Sequence, residues 1–152
     1  MYRQHMILAM IIMFGGLLYS TPTVAQVLPP TKKAAHVKII KGPELELATD
    51  FLIIIRWTTN NPGGSNDHFG IVYYGTDPKN LDQTAKNPIR LNQAHPETVF
   101  RVRVSGLKPR TTYYYKVASE ESNGKSDGVT STVKKFTSPA PGERIVADSK
   151  RG

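Results

Sequence analysis

The sequence predicts an all-β domain, and three observations lead to that fold class. Short strand-like runs recur along the chain, separated by clusters of glycine, proline and asparagine. No run of ten or more residues spaces its apolar side chains as a helix would. In the clearest runs apolar and polar residues alternate, as in an antiparallel strand with one buried face. Seven or eight short strands are therefore expected.

The strand over 98–105 has the cleanest alternation. Phe100, Val102 and Val104 share the inward side, and Arg101 and Arg103 share the side that faces water. The full set of predicted strands covers residues 36–40, 44–48, 51–58, 69–75, 88–92, 98–105, 112–119 and 129–137.

Two of these strands raise a question about their faces. In 51–58 the outer side carries Leu52 and Ile54, which need a cover such as the linker or a neighbouring strand. In 129–137 an inward Phe136 would also point Lys134 inward, so we expect a bulge there and an irregular or edge strand. The inward side of 51–58 consists of Phe51, Ile53, Ile55 and Trp57.

The N-terminus has the features of a secretory signal peptide. Arg3 precedes an uncharged, mostly apolar run over 6–19, and small residues precede a predicted cleavage site between Ala25 and Gln26. A retained membrane anchor is the alternative, but the run is shorter than the roughly 20 residues that span a bilayer. The sequence thus predicts a secreted or periplasmic protein, with the membrane involved only through the export signal.

Composition excludes several functions. The absence of cysteine excludes disulfides, thiolate metal sites and a cysteine nucleophile. The net charge is +8, and removing residues 1–25 would lower it to +7 because Arg3 is lost. The basic residues form no run longer than two, which favours solvated faces over a polyanion-binding stripe.

Proline and glycine mark the domain boundaries. The Pro-Pro pair in residues 26–35 predicts an extended linker. Residues 139–152 begin with a proline-rich stretch and show no strand alternation, so they are expected to form a flexible C-terminal tail. The domain is therefore predicted over 36–138.

The spacing Leu107, Pro109, Thr111, Tyr113 and Val117 has the pattern L-x-P-x-T-x-Y-x-x-x-V. With Trp57 in an early strand, it resembles a fibronectin type III domain, an immunoglobulin-like β-sandwich of two antiparallel sheets. The resemblance implies a tyrosine corner at Tyr113, with its hydroxyl bonded to backbone upstream. The residues expected to be structural are Trp57, Tyr74, Leu107, Pro109, Thr111, Tyr113, Tyr115, Val117 and Phe136.

A narrower resemblance rests on I-I-R-W-T at 54–58, I-V-Y-Y-G-T at 71–76, V-S-G-L-K-P-R-T-T-Y-Y-Y-K-V at 104–117 and K-F-T-S-P at 135–139. These segments are similar to the N-terminal domain of purple acid phosphatases. In that family a following metallophosphoesterase domain holds two metal ions. Its G-D-x-G, G-D-x-x-Y, G-N-H-E/D and paired-histidine motifs are absent from this sequence. We therefore assign no catalytic residue, metal site or cofactor, and metal binding is implied by the family alone.

The most site-like segment is the glycine-rich loop over 60–70. Asn66, Asp67 and His68 are weak ligand-binding candidates, although adjacent side chains on an extended strand point to opposite faces. Ser65 near His68 is the only serine–histidine pairing, and it lacks an orienting carboxylate other than Asp67. A plain loop is the favoured interpretation.

The hairpin over 119–128 carries no Arg-Gly-Asp tripeptide and is expected to be flexible and polar. Among the three consecutive tyrosines, Tyr113 and Tyr115 face the core, and only Tyr114 is left to meet a partner. Arg101, Arg103, Lys116 and Tyr114 all have outward parity, but an exported chain makes nucleic acid a minor alternative, and none is expected as a partner.

These observations favour a secreted, non-catalytic binding or spacer module whose partner is an unknown protein or glycan at the cell envelope. One alternative is an accessory fragment or subunit of a phosphatase whose catalytic domain is separately encoded. Another is an adhesion or polysaccharide-binding module of the cell envelope.

Overall fold

The computed structural model describes residues 34–147. The predicted signal peptide, its cleavage site at Ala25 and Gln26, and most of the linker over 26–35 lie outside that range. The described strands are β1 (Ile39–Thr49), β2 (Leu52–Asn60), β3 (Asp67–Gly75), β4 (Gln83–Arg90), β5 (Glu97–Ser105), β6 (Thr112–Glu121), β7 (Ser126–Thr130), β8 (Lys134–Thr137) and β9 (Arg144–Val146).

The strands form two antiparallel sheets that pack as a sandwich, which confirms the predicted fold class. One sheet has the order β5-β2-β1-β9, and the other has the order β4-β3-β6-β7, with β8 also paired to β6. Within residues 34–147 there is no helix long and apolar enough to cross a membrane.

The core lies between the sheets and centres on the only tryptophan. Trp57 of β2 stacks on Phe100 of β5, with ring centroids 5.2 Å apart and planes inclined by 15°. Ile53 and Ile55 continue the buried side of β2, and Val102 and Val104 continue that of β5; all four are fully buried. The inward parity predicted for these residues is confirmed.

Phe51 was predicted to face inward, and this is wrong. It lies in the turn between β1 and β2, one residue before β2 begins, and its side chain is 52% exposed. Its carbonyl accepts a hydrogen bond from the Leu107 N–H at 3.0 Å. The alternation of side chains between two faces holds only within a strand, and Phe51 lies just outside β2.

Two strand boundaries also differ from the sequence pattern. Two strands were predicted, over 36–40 and 44–48, but the structure has one strand, β1, which begins only at Ile39 and whose pairing with β2 shifts register around Gly42 and Pro43. The strand predicted over 88–92 begins earlier, at Gln83, and ends at Arg90. Lys86 and Asn87 have low strand propensity, but their backbone pairs with β3 and they therefore belong to β4.

The last predicted strand, 129–137, divides into two. β7 and β8 both pair with β6, and residues 131–133 interrupt them, which confirms the expected irregular edge. Phe136 is buried, whereas Lys134 has the same inward parity and remains exposed. The ammonium of Lys134, in β8, donates a 2.8 Å hydrogen bond to the carbonyl of Pro43, in β1, and so links the two sheets.

Part of the predicted C-terminal tail is ordered in a sheet. Arg144–Val146 form β9, which pairs with Leu47, Ala48 and Thr49 at the edge of β1. A flexible tail is therefore wrong for these three residues. The pairing uses main-chain groups that β1 leaves free, so it needs no alternating sequence to form.

The tyrosine corner is built around Tyr113. Its hydroxyl accepts a 2.9 Å hydrogen bond from the Lys108 N–H, five residues upstream. Thr111 donates its hydroxyl to the Pro109 carbonyl and its N–H to the hydroxyl of Ser138. The rings of Tyr113 and Phe136 stack with centroids 5.6 Å apart. The corner thus holds the loop before β6 against the end of β8.

The remaining structural candidates line the same core. Tyr115 contacts Phe136 edge-on, with ring centroids 5.9 Å apart, and Tyr74 lies 6.4 Å from Tyr113. Leu107 and Val117 are buried beside them.

We expect Tyr113→Phe to lower the free energy of unfolding by about 1 kcal/mol, because it removes a partly buried hydrogen bond and leaves the ring in place. Tyr114→Phe, on the outer side of the same strand, should change it by less than about 0.5 kcal/mol. Urea denaturation followed by Trp57 fluorescence measures both. A neutral Tyr113→Phe with a costly Tyr114→Phe would contradict the register of β6.

Alkaline pH should destabilise the fold through Tyr115. Burial raises the pKa of its hydroxyl from 10.0 to about 12, and the negative charge of Glu44 adds to the rise. The unfolded chain therefore loses this proton first, so the stabilisation is complete below pH 10.0 and is lost as pH rises through about 12. The urea concentration at the midpoint of unfolding should fall as pH rises from 10.0 to about 12, and it should fall less steeply in Tyr115→Phe. Equal slopes in both proteins would refute the assignment.

Candidate functional site

Asp67 and His68 were predicted to lie in a loop, and this is wrong. They are the first two residues of β3. They point to opposite sides of the sheet. Asp67 is exposed, and His68 shares the inward side with Gly70 and Val72 and is buried. The two side chains consequently cannot converge on one ligand.

A buried polar network surrounds His68 at this end of the sandwich. His68 Nε2 lies 3.2 Å from Oδ1 of Asp127, which comes from β7. The other carboxylate oxygen of Asp127 accepts a 2.6 Å hydrogen bond from the hydroxyl of Ser119 on β6. The His68 and Asp127 side chains are 0% and 4% exposed. The network thus ties three strands of the five-stranded sheet together.

Glu121 extends the polar end to the loop between β2 and β3. Its carboxylate accepts the Ser65 N–H at 3.3 Å and lies 3.8 Å from the ammonium of Lys125. Gly64 has a φ of +77°, a left-handed conformation that favours glycine, and its missing Cβ leaves room for the carboxylate, since a Cβ there would lie 2.7 Å from Glu121 Oε1. Glu121 therefore fixes the loop against the β6–β7 hairpin.

A polar groove of about 260 Å³ opens beside this network. One wall is the arm over 34–37, and the other is the hairpin over 125–128 with Glu121 behind it. The arm is held by a hydrogen bond from the Ala34 N–H to the Asn61 carbonyl.

The hydrogen-bond order in the network does not match that of a nucleophilic triad. The Ser119 hydroxyl donates to a carboxylate and not to a histidine, and Ser119 is 1% exposed. Ser65, the serine considered in the sequence, accepts the Asp67 N–H with its hydroxyl at 3.2 Å. Neither serine is therefore placed as an activated nucleophile.

The residues present do not fit a metal ion either. Between residues 34 and 147 no three histidine, aspartate or glutamate side chains are grouped to hold one. Asp127 uses both carboxylate oxygens within the network, and Glu121 faces a lysine. We therefore derive no chemistry through a metal at this site.

The other candidates are dispersed. Asn66 is exposed, and its side-chain oxygen accepts a hydrogen bond from Gln93. Tyr114 is half-buried on the outer face of the five-stranded sheet, between Gly75 and Lys135 of neighbouring strands. The weak candidates therefore do not form one site.

The basic residues with outward parity are separated as well. Arg101 and Arg103 lie on the outer face of the four-stranded sheet, and Lys116 lies on the opposite outer face of the molecule. Lys116 covers the Tyr73 ring, with its ammonium 5.5 Å from the ring centroid. They do not form one continuous basic surface.

The network of His68, Asp127 and Ser119 was missed in the sequence. Parity within 68–74 could have placed His68 inward, because it alternates with Gly70, Val72 and Tyr74. Nothing local identified Asp127, which lies in a hairpin that was expected to be flexible and polar. Its pairing with His68 spans 59 positions of the chain.

Asp127→Ala should lower the free energy of unfolding by roughly 3 kcal/mol, because it leaves His68 and Ser119 buried without their shared acceptor. Asp67→Ala is the matched control: the same change beside His68, on an exposed side chain, should cost less than about 0.5 kcal/mol. Urea denaturation decides the matter, and equal effects of the two substitutions would exclude a structural role for the network.

Three solved structures are similar to the chain at low identity. They are the sensor domain of the anti-sigma factor RsgI4 of Pseudobacteroides cellulosolvens (20% identity, 68% of this chain and 76% of that one, TM-score 0.48), the fn3 domain of human contactin 1 (14%, 80% and 92%, 0.41) and the third fibronectin III domain of the human KIAA0343 protein (16%, 84% and 97%, 0.36).

No curated protein matches the sequence. A family model described as the purple acid phosphatase N-terminal domain matches residues 44–138, which is more than half of the chain. The matched range begins within β1 and ends just beyond β8, so it takes in the paired core strands of both sheets. The chain therefore belongs to the purple acid phosphatase N-terminal domain family, and its fold is a fibronectin type III-like β-sandwich.

Proposed function

We propose that the protein is a secreted, non-catalytic binding or spacer module. The observation that carries the proposal is the family match over residues 44–138, which is to the N-terminal domain of the phosphatases and not to a catalytic one. The buried polar network supports it, since Asp127 ties His68 and Ser119 into the fold and leaves neither exposed for chemistry.

The binding end, in this proposal, is the one that carries the groove over 34–37 and 125–128. The loop between β2 and β3 and the β6–β7 hairpin are held together there by Glu121 and by the His68–Asp127 contact. Loops held by a rigid scaffold are where sandwich domains place their contacts. A protein or a glycan at the cell envelope is the partner that fits an exported module.

Phosphatase assays test the non-catalytic part of the proposal. The chain from Gln26 onward, purified and supplied with iron, zinc or manganese, should hydrolyse a phosphate monoester no faster than the metal salts alone. Turnover that disappears in Asp67→Asn, with the circular dichroism spectrum unchanged, would overturn it. Asp67 is suited to this role because it is the exposed carboxylate among the candidate residues and lies at the start of β3.

Export is tested separately. In a bacterial host the chain should be recovered outside the cytoplasm with Gln26 as its first residue, which N-terminal sequencing determines. The matched control replaces Ile11 and Ile12 in the apolar run with aspartate, which should keep the protein in the cytoplasm at full length. Recovery of the unaltered chain with residues 1–25 still attached would contradict secretion by cleavage.

A second candidate is an accessory subunit that works beside a separately encoded phosphatase chain. Family membership favours it, because the matched domain is named as part of such an enzyme. A metallophosphoesterase reading frame next to this gene, whose product co-purifies with this chain, would support the subunit role. A binding module acting alone would instead be retained by glycan or peptidoglycan resin without that product.

A further inference from the structure

The described part of the chain exposes five large apolar side chains, and three of them lie at neighbouring positions of the four-stranded sheet, two in β9 and one in the turn that follows β1. These are Phe51, Ile145 and Val146, exposed by 52%, 55% and 58%. Phe51 lies two residues after Thr49, and Thr49 pairs with Arg144 at the start of β9. We call these three side chains the apolar corner.

Of the residues in the apolar corner, Val146 continues onto the outer face of the four-stranded sheet, whereas Ile145 pairs with the buried Ala48 and points to the other side of β9. Val146 pairs with Leu47, and Leu47 pairs with Ile54, so one apolar row crosses β9, β1 and β2. Leu52 lies on the same side of β2, and all three residues on β1 and β2 remain half-buried. The short strand β9 meets this face at its edge and leaves the row open to solvent.

Basic residues surround the apolar corner. Arg103 stands opposite Ile54 at one end of the row, and Arg144 begins β9 at the other. Lys108 and Arg110 lie in the loop whose Leu107 N–H bonds to the Phe51 carbonyl. These four basic residues are absent from the ion pairs found among residues 34–147.

The acidic groups nearby are fewer. Asp50 adjoins Phe51 in the turn, and Glu143 adjoins Arg144. The carboxylate of Glu143 accepts a hydrogen bond from the Ala140 N–H at 3.2 Å. Four basic groups against two acidic ones give the corner a local excess of two positive charges.

We propose that the apolar corner and its basic rim bind an anionic phospholipid surface. Aliphatic side chains such as Ile145 and Val146 gain free energy only by leaving water for an apolar phase. Acidic polysaccharides and nucleic acids offer no such phase, whereas a bilayer interface offers both an apolar layer and anionic headgroups. A second copy of this chain would bring like charges together around the same corner.

Vesicle sedimentation tests the proposal with the chain from Gln26 onward, which lacks the apolar run over 6–19 but keeps every core contact. The protein should bind vesicles of phosphatidylcholine and phosphatidylglycerol in equal parts, bind phosphatidylcholine alone far more weakly, and be released by added salt. Phe51→Ser should weaken binding about tenfold, since it removes a large inserting side chain.

The chain offers matched controls for both features. Val133→Ser changes another exposed apolar residue, 45% exposed at the β7–β8 junction, and should leave binding unchanged. Removing the charges of Lys108 and Arg144 should weaken binding about fivefold each, whereas the same change at Lys125, at the opposite end of the sandwich, should have a much smaller effect.

Four outcomes overturn the proposal. The first is equal binding to both vesicle types, and the second is equal loss in Phe51→Ser and Val133→Ser. The third is a concentration-dependent dimer, seen by analytical ultracentrifugation, that Phe51→Ser abolishes, because the corner would then be an interface between two copies. Absence of binding to either vesicle also excludes a membrane role, once circular dichroism shows the chain folded.

Discussion

The sandwich depends on the close packing of its two sheets around the Trp57–Phe100 stack. These rings come from directly paired positions of β2 and β5, and the facing strand β3 presents Gly70 to them. A Cβ at Gly70 would lie 2.9 Å from the Val102 side chain and 3.1 Å from both rings. Only a residue without a side chain lets β3 pack this closely, so the distance between the sheets is set at this point.

The two ends of the sandwich are held together by different kinds of contact. At one end the tyrosine corner and Ser138 join the loop before β6 to the end of β8. At the other, Asp127 and Glu121 replace apolar packing with hydrogen bonds to His68 and to the β2–β3 loop. The second end is therefore held by hydrogen bonds between polar groups and not by apolar packing, although Nδ1 of His68 has no partner among the described residues.

The three neighbouring tyrosines illustrate how far strand parity reaches. Tyr113 and Tyr115 lie in the core, and Tyr114 lies on the outer face, because a period of two leaves no other arrangement within β6. The same reasoning failed for Phe51, which lies in a turn, and for Arg144–Val146, where unpaired main-chain groups of β1 captured a segment with no strand pattern. Parity therefore predicts faces within a strand and is silent on where strands end.

By itself, the sequence determined the all-β class, the family, the inward faces of the regular strands and the tyrosine corner, because each follows from local periodicity or from a fixed spacing of residues. Tertiary structure alone decided the division of the last strand, the place of β9, and the union of His68 with Asp127. It also decided that Arg101 and Tyr114 lie on opposite faces. These features join positions tens of residues apart, and a local pattern carries no information about which distant backbone or side chain will satisfy an unpaired polar group.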